Sequence, residues 1–178
     1  MPKLSNPRVS VELKPSRINS SGVGVFAIYG FKKGDKIFIP AFHGPGVFLP
    51  WDEVKKLDKE VQRMITRFCI GDIKGVKVPL DFDQLPVTFF LNHSCDFNVG
   101  FSDKNYYVAV KDINAGDELY LDYGLAISDP NYTMECQCRS LNCRKIITGN
   151  DWYKLISNEQ NKKFLFSTIR SLLKTAGK

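Results

Sequence analysis

The sequence predicts a mainly β domain with one internal helix and one C-terminal helix, and three observations lead there. Short runs rich in Val, Ile, Phe and Tyr recur between glycine-bearing turns. One internal segment and one segment near the end of the chain instead space their apolar residues by three and four. With 178 residues, 43% apolar and 25% charged, the chain can bury one sizeable core and is too short for two ordinary domains.

In chain order, Val9, Val11 and Leu13 alternate as a strand over residues 8–13, and residues 22–31 read as a turn followed by a strand. Lys33-Gly34-Asp35 turns the chain into a strand at 37–39. The same chemistry returns at Gly116, so KKGDKIF and NAGDELY are a matched pair of hairpin signals rather than a duplication. Over residues 51–68, Val54, Leu57, Val61, Met64, Ile65 and Phe68 mark an amphipathic helix, and Pro50 suits its start. Short strands are expected at 76–80, 106–110 and 118–123, with Pro86 closing the approach to Phe89, Phe90 and Leu91. Residues 158–175 place Phe164, Leu165, Ile169, Leu172 and Leu173 on one side of a helix. That helix is expected to pack on its own domain, self-association being its other use.

No run approaches the roughly 20 apolar residues of a membrane span, and Met1 to Pro7 carries no secretory signal. An intracellular protein, cytoplasmic or nuclear, is the expectation. The 25 basic and 19 acidic side chains leave a formal charge of +6, spread in pairs such as Lys32-Lys33, Lys55-Lys56 and Lys162-Lys163. Such a balance permits an acidic partner without requiring nucleic acid.

Four of the five cysteines group as Cys95, inside Asn92-His93-Ser94-Cys95-Asp96-Phe97-Asn98, and Cys136, Cys138 and Cys143 downstream. In a reducing compartment, four soft ligands suit a tetrahedral zinc site better than disulfides. Clustered buried thiols are the alternative. Cys69 is left over and reads as an inert core thiol; His43 reads as a core histidine.

Taken in order, Gly22-Val23-Gly24, the Asn92-His93-Ser94-Cys95 segment, Gly116-Asp117-Glu118-Leu119 with Asp122-Tyr123-Gly124, and the Cys136, Cys138, Cys143 cluster resemble the SET-domain protein lysine methyltransferases with a post-SET zinc motif. The resemblance runs from about residue 16 to about residue 152 and is closest to the compact members without a pre-SET region. It implies short twisted sheets in which the Asn92 segment threads, pseudoknot-like, through a loop closed by the Tyr123 segment. It also implies an extension at 1–15, a SET domain at 16–126, a post-SET zinc segment at 127–152 and a helical tail at 153–178.

The implied activity is transfer of methyl groups from S-adenosylmethionine to the ε-amine of a lysine in a protein substrate, a histone or another basic protein being candidates. Tyr123 is the implied catalytic residue. Gly22, Val23, Gly24, Asn92 and His93 are implied cofactor contacts. Trp152, with Ile146 and Ile147, is expected as an apolar lid; Cys95, Cys136, Cys138 and Cys143 are implied to hold one structural Zn2+. Two departures stand out: Phe97 replaces the family's usual proline, and Leu121 replaces the aromatic that tunes the number of methyl groups added. The family's second active-site tyrosine has no obvious counterpart, and Phe68, near its expected place, lacks the hydroxyl. A catalytically silent SET-like zinc module that binds protein or chromatin tails is the alternative.

Overall fold

Seven short strands share one curved sheet in the computed structural model, which describes residues 9–38 and 46–176. They are β1 (Val11–Pro15), β2 (Val23–Ala27), β3 (Lys36–Phe38), β6 (Asn92–His93), β7 (Val99–Phe101), β8 (Tyr107–Ala109) and β9 (Glu118–Leu121). Their order is β1-β2-β9-β7-β8-β3, with β6 pairing β9 off that path. Two antiparallel pairs stand apart: β4 (Gly46–Pro50) with β5 (Gly75–Pro79), and β10 (Thr133–Glu135) with β11 (Ile146–Thr148). The expected β-rich class holds. Ile39 and His43 lie outside the described residues.

β9 is the strand around which the site is built. It runs antiparallel to β2 and parallel to both β6 and β7, with Asn92 opposite Tyr120 and His93 opposite Leu121. Val25, Leu119, Leu121, Val99 and Phe101 bury its flanks in the main core. Burial of side chains this size contributes about 1.5–3 kcal/mol each, which fixes the register of strands only two to five residues long.

The matched turns form, but not as hairpins. Gly34 and Gly116 take positive φ, 93° and 82°, as the third position of a type II turn demands. Each turn closes on an aspartate: Asp35 accepts from the Lys32 amide, and Asp117 from the Asn114 amide. The flanking strands do not pair with each other. Instead the two connectors lie side by side, Phe31 and Ile113 exchanging both backbone hydrogen bonds at 2.8 Å. The turn chemistry was local and readable; the partner of each connector was not.

Both expected helices are broken. Residues 51–68 split into α1 (Trp51–Val54) and α2 (Lys59–Phe68), because the Asp58 side chain caps the Glu60 amide at 2.8 Å and restarts the helix. Downstream come α3 (Trp152–Leu155), α4 (Glu159–Lys162) and α5 (Ser167–Ala176). The break between α4 and α5 has a tertiary cause: the Phe101 amide donates to the Phe164 carbonyl, and the Phe166 amide to that of Leu125. Backbone groups committed to the core cannot also continue a helix. Leu165 and Ile169 then bury against Leu125 and Trp152, so the terminal helix packs on its own domain. Phe97 packs against that cluster, which gives the unusual aromatic a place in the tail's core.

Candidate active site and metal centre

Two adjoining cavities open around Tyr123. The larger, about 340 Å³, is lined by Gly22, Val23 and Asn92 on one side and Tyr132, Thr133 and Met134 on the other. The smaller, about 50 Å³, is lined by Leu121, Tyr107, Thr88, Ile127 and Cys69 among others. Tyr123, Leu91, Phe68 and Tyr132 belong to both, so they form the partition between the two spaces.

Tyr123 does not lie on the strand, as its sequence position suggests; β9 stops at Leu121 and Tyr123 opens a 3-10 turn, Tyr123–Leu125. The turn still carries it to the cavity beside Leu121. Its hydroxyl donates to the Leu91 carbonyl at 2.8 Å, and its amide donates to Nδ1 of His93 at 3.1 Å. Burial pushes the phenol up to about 12, so the group keeps its proton at neutral pH. Burial likewise pushes the His93 imidazole down to about 4, against the opposing pull of Asp122. With Nδ1 accepting, the neutral ring carries its proton on Nε2, which faces Cys95 Sγ at 3.5 Å.

Asn92 is held by its amide nitrogen, which donates to the Val23 carbonyl at 2.9 Å and to Glu118 Oε1 at 3.2 Å. Glu118 is buried and also accepts from Ser16 Oγ and the Arg17 amide, each at 2.7 Å, and from Tyr120 OH at 2.9 Å. This carboxylate explains one glycine: a Cβ on Gly24 would stand 2.0 Å from Glu118 Oε1. Gly24 therefore yields its space to a protein side chain, while Gly22 and Val23 line the larger cavity.

The cysteines come together. Cys95, Cys136, Cys138 and Cys143 place their sulfurs within 4.8 Å of one another, and Cys95 and Cys136 are 3.8 Å apart. A tetrahedron with zinc–sulfur bonds of about 2.3 Å has edges of about 3.8 Å, so the donor set fits zinc. The Arg144 amide points at Cys95 Sγ, 3.4 Å away, and Ser140 Oγ lies 3.1 Å from Cys138 Sγ. Such outer contacts orient thiolate ligands. Cys69 stays apart from the cluster; burial pushes its thiol up to about 12, the state of an inert thiol, although it lines the smaller cavity.

Arg144 ties this cluster to the partition. Its guanidinium grips the fully buried Asp122 through two bonds, 2.6 and 2.8 Å, and reaches Asp151 at 2.9 Å. Burial alone would lower its pKa; the Asp122 hydrogen bonds outweigh that and raise it. Asp122 also caps the Gly124 amide at 2.9 Å, so its carboxylate braces both sides of Tyr123.

Trp152 is not brought to the cleft. It is buried against Leu125, Leu165 and Ile169 and lines neither cavity, because the helical tail offers it a larger apolar surface. Ile147 is buried beside the cysteines and Ile146 is exposed. The apolar wall comes instead from Tyr132 to Met134, ahead of Cys136. Sequence reasoning also missed Tyr107 and Tyr132 as cavity tyrosines: residues 106–110 are all apolar or aromatic and β8 is buried throughout, so no alternation set Tyr107 apart, and Tyr132 closes a turn on Asp129 with no periodic signal.

The SET domain family model matches residues 22–124, more than half of the chain. The chain belongs to the SET domain family. Comparison with curated proteins finds no matching relative. SET domains are generally S-adenosylmethionine-dependent protein lysine methyltransferases, and that relation implies the cofactor as methyl donor. The matched span of this SET domain covers Gly22, Asn92, Cys95 and Tyr123 and stops short of the three downstream cysteines. No helix among the described residues is long and apolar enough to cross a membrane.

Proposed function

We propose that this SET domain transfers methyl groups from S-adenosylmethionine to the ε-amine of a lysine in a protein substrate. The observation that carries the reading is the pair of cavities meeting at Tyr123: the larger suits the cofactor, and the smaller a lysine side chain arriving from the other side. When bound, the cofactor supplies an electrophilic methyl group on a sulfonium.

Asn92 has both amide hydrogens committed, so its side-chain oxygen is what remains to accept from the cofactor's ammonium. Gly22 and Val23 flank the same space, and Thr133 and Met134 take the wall first expected of Trp152. His93 lines neither cavity; it is buried and holds the Tyr123 amide from behind. The amine must arrive neutral, although a free lysine has a pKa of about 10.4. Enclosure among Leu121, Phe68, Tyr107 and Ile127 disfavours the ammonium by desolvation. Tyr123, a phenol at neutral pH, acts by orientation: its proton is spent on Leu91, and its oxygen keeps lone pairs to accept from the amine at the partition.

Cys95, Cys136, Cys138 and Cys143 would hold one structural zinc as a post-SET element, lending folding free energy to a segment with little core of its own. The test is transfer of label from S-adenosylmethionine to lysine in a panel of proteins, run with the native chain and with Tyr123→Phe. Native transfer to lysine that collapses in the variant supports the reading; cofactor binding with no transfer to any protein favours the silent binding module instead.

A further inference from the structure

Among the described residues, the only charged side chain lining either cavity is Arg67, which lines both. It ends a stripe on α2: Lys59, Arg63 and Arg67 follow at four-residue intervals, so they share one face, and all three are exposed. The single carboxylate of that helix, Glu60, is taken by Arg63 at 2.7 Å. Among the described residues no salt bridge engages Lys59 or Arg67; Arg67 lies over the Phe68 ring, 5.4 Å from its centre. The carboxylates flanking the smaller cavity in sequence are turned to their own loops, Asp72 accepting from the Lys74 and Gly75 amides and Asp129 from the Asn131 amide. A basic ridge thus leads to the mouth of the site, and among the described residues nothing acidic lines the site to receive a basic tail.

We propose that the Lys59, Arg63 and Arg67 stripe docks an acidic stretch of the substrate polypeptide, so that the lysine presented to Tyr123 is one flanked by Asp or Glu. The inference rests on the lysine methyltransferase reading and names its substrate class. The stripe is about 12 Å long, eight steps from Lys59 to Arg67 at about 1.5 Å of helical rise each. An extended peptide advances about 3.3 Å per residue, so the acidic positions fall within about four residues of the target lysine. The attraction lies at the surface and therefore weakens with salt.

The experiment uses three fluorescein-labelled peptides, each with one central lysine, flanked on both sides by four residues of Glu, Ala or Arg. Affinity is read by anisotropy and methyl transfer by mass spectrometry, for the native chain and for Lys59→Glu/Arg63→Glu. The expected result is at least tenfold tighter binding of the Glu peptide than the Ala peptide at low salt, shrinking several-fold at high salt. The charge-reversed chain should lose that preference or favour the Arg peptide. Equal binding of all three peptides, or preference for Arg flanks by the native chain, overturns the proposal. So does a single-stranded oligonucleotide of equal charge that outcompetes the Glu peptide. Arg67→Glu is measured against S-adenosylhomocysteine as well: loss of the cofactor product with peptide preference intact assigns Arg67 to the cofactor and overturns its place in the stripe. Acid-selective binding without transfer to any peptide leaves the docking surface standing and removes the enzymatic reading.

Discussion

Glu118 begins strand β9 and Asp122 follows its end, both carboxylates sealed from solvent, yet they are satisfied in opposite ways. Glu118 sits among neutral donors: the Ser16 hydroxyl and Arg17 amide of the N-terminal loop, the Tyr120 phenol and the Asn92 side-chain amide. Asp122 is matched by a full positive charge from the cysteine-bearing tail. The first arrangement spreads a buried charge over several modest bonds, each replaceable. The second concentrates it in one forked ion pair, which is strong only while both partners stay. Glu118 sets the cofactor side of the site through Asn92; Asp122 braces Tyr123. The cofactor side should therefore degrade gradually and the tail side abruptly.

The largest break comes from removing what carries Arg144 into place. Purified protein is expected to hold about one zinc per chain, and Cys95→Ser to lose metal and activity together, since structural zinc contributes on the order of 10 kcal/mol to such segments. Cys69→Ser, at a thiol outside the cluster, should keep its metal. Metal analysis decides; full zinc in the Cys95 variant removes that cysteine from the site.

Asp122→Ala leaves the partly buried Arg144 guanidinium with only Asp151 and should lower stability by about 3 kcal/mol. The double variant Asp122→Ala/Arg144→Ala should lose less than the sum of the two single changes. Denaturant midpoints measure both, and strict additivity would show that the pair is not coupled.

Tyr123→Phe keeps the ring and removes only the bond to Leu91 and the aligned oxygen. Turnover should fall about a hundredfold while cofactor affinity stays within several-fold. Single-turnover rates beside calorimetry check it; near-normal turnover takes Tyr123 out of its role.

These sites were unequally legible in the sequence. The motif strings carried Asn92, Tyr123 and the four cysteines because each needs a specific residue type at a fixed spacing. Glu118 was visible only as part of a string, since its contacts with Ser16 and Arg17 lie about a hundred residues away. Arg144 was passed over as one basic residue among many, with no local pattern to mark its bond to Asp122. Trp152 misled for the opposite reason: an aromatic beside a motif looks functional until the tail's own core is seen to claim it. Strands β10 and β11, three residues each, were too short to show alternation.

Glu118→Gln tests the gradual side. The new amide cannot accept from both Arg17 and Asn92, so one donor is left facing another. The expected cost is about 1–2 kcal/mol, read as roughly tenfold weaker cofactor binding with turnover at saturation little changed. A drop in turnover as large as that of Tyr123→Phe would show that the two carboxylates are not separate in function.

The smallest effect concerns product rather than rate. Leu121 is buried and lines the cavity of about 50 Å³ with three tyrosines: Tyr123 donates to the Leu91 carbonyl, Tyr132 to the Met134 sulfur, and Tyr107 pairs with the Thr88 side chain. Leu121 adds no hydroxyl to hold a methylated amine in one rotation, and it is less bulky than the aromatic it replaces. The native chain should therefore carry lysine to the di- or trimethyl state. Leu121→Tyr fills part of the cavity and supplies a hydroxyl beside Tyr123, which should shift the product toward monomethyl-lysine with less than a tenfold change in the first transfer. Product distributions on one peptide at long reaction times decide the matter: a native chain that stops cleanly at one methyl would mean that another cavity residue, with Tyr107 the first to substitute by Phe, sets the limit.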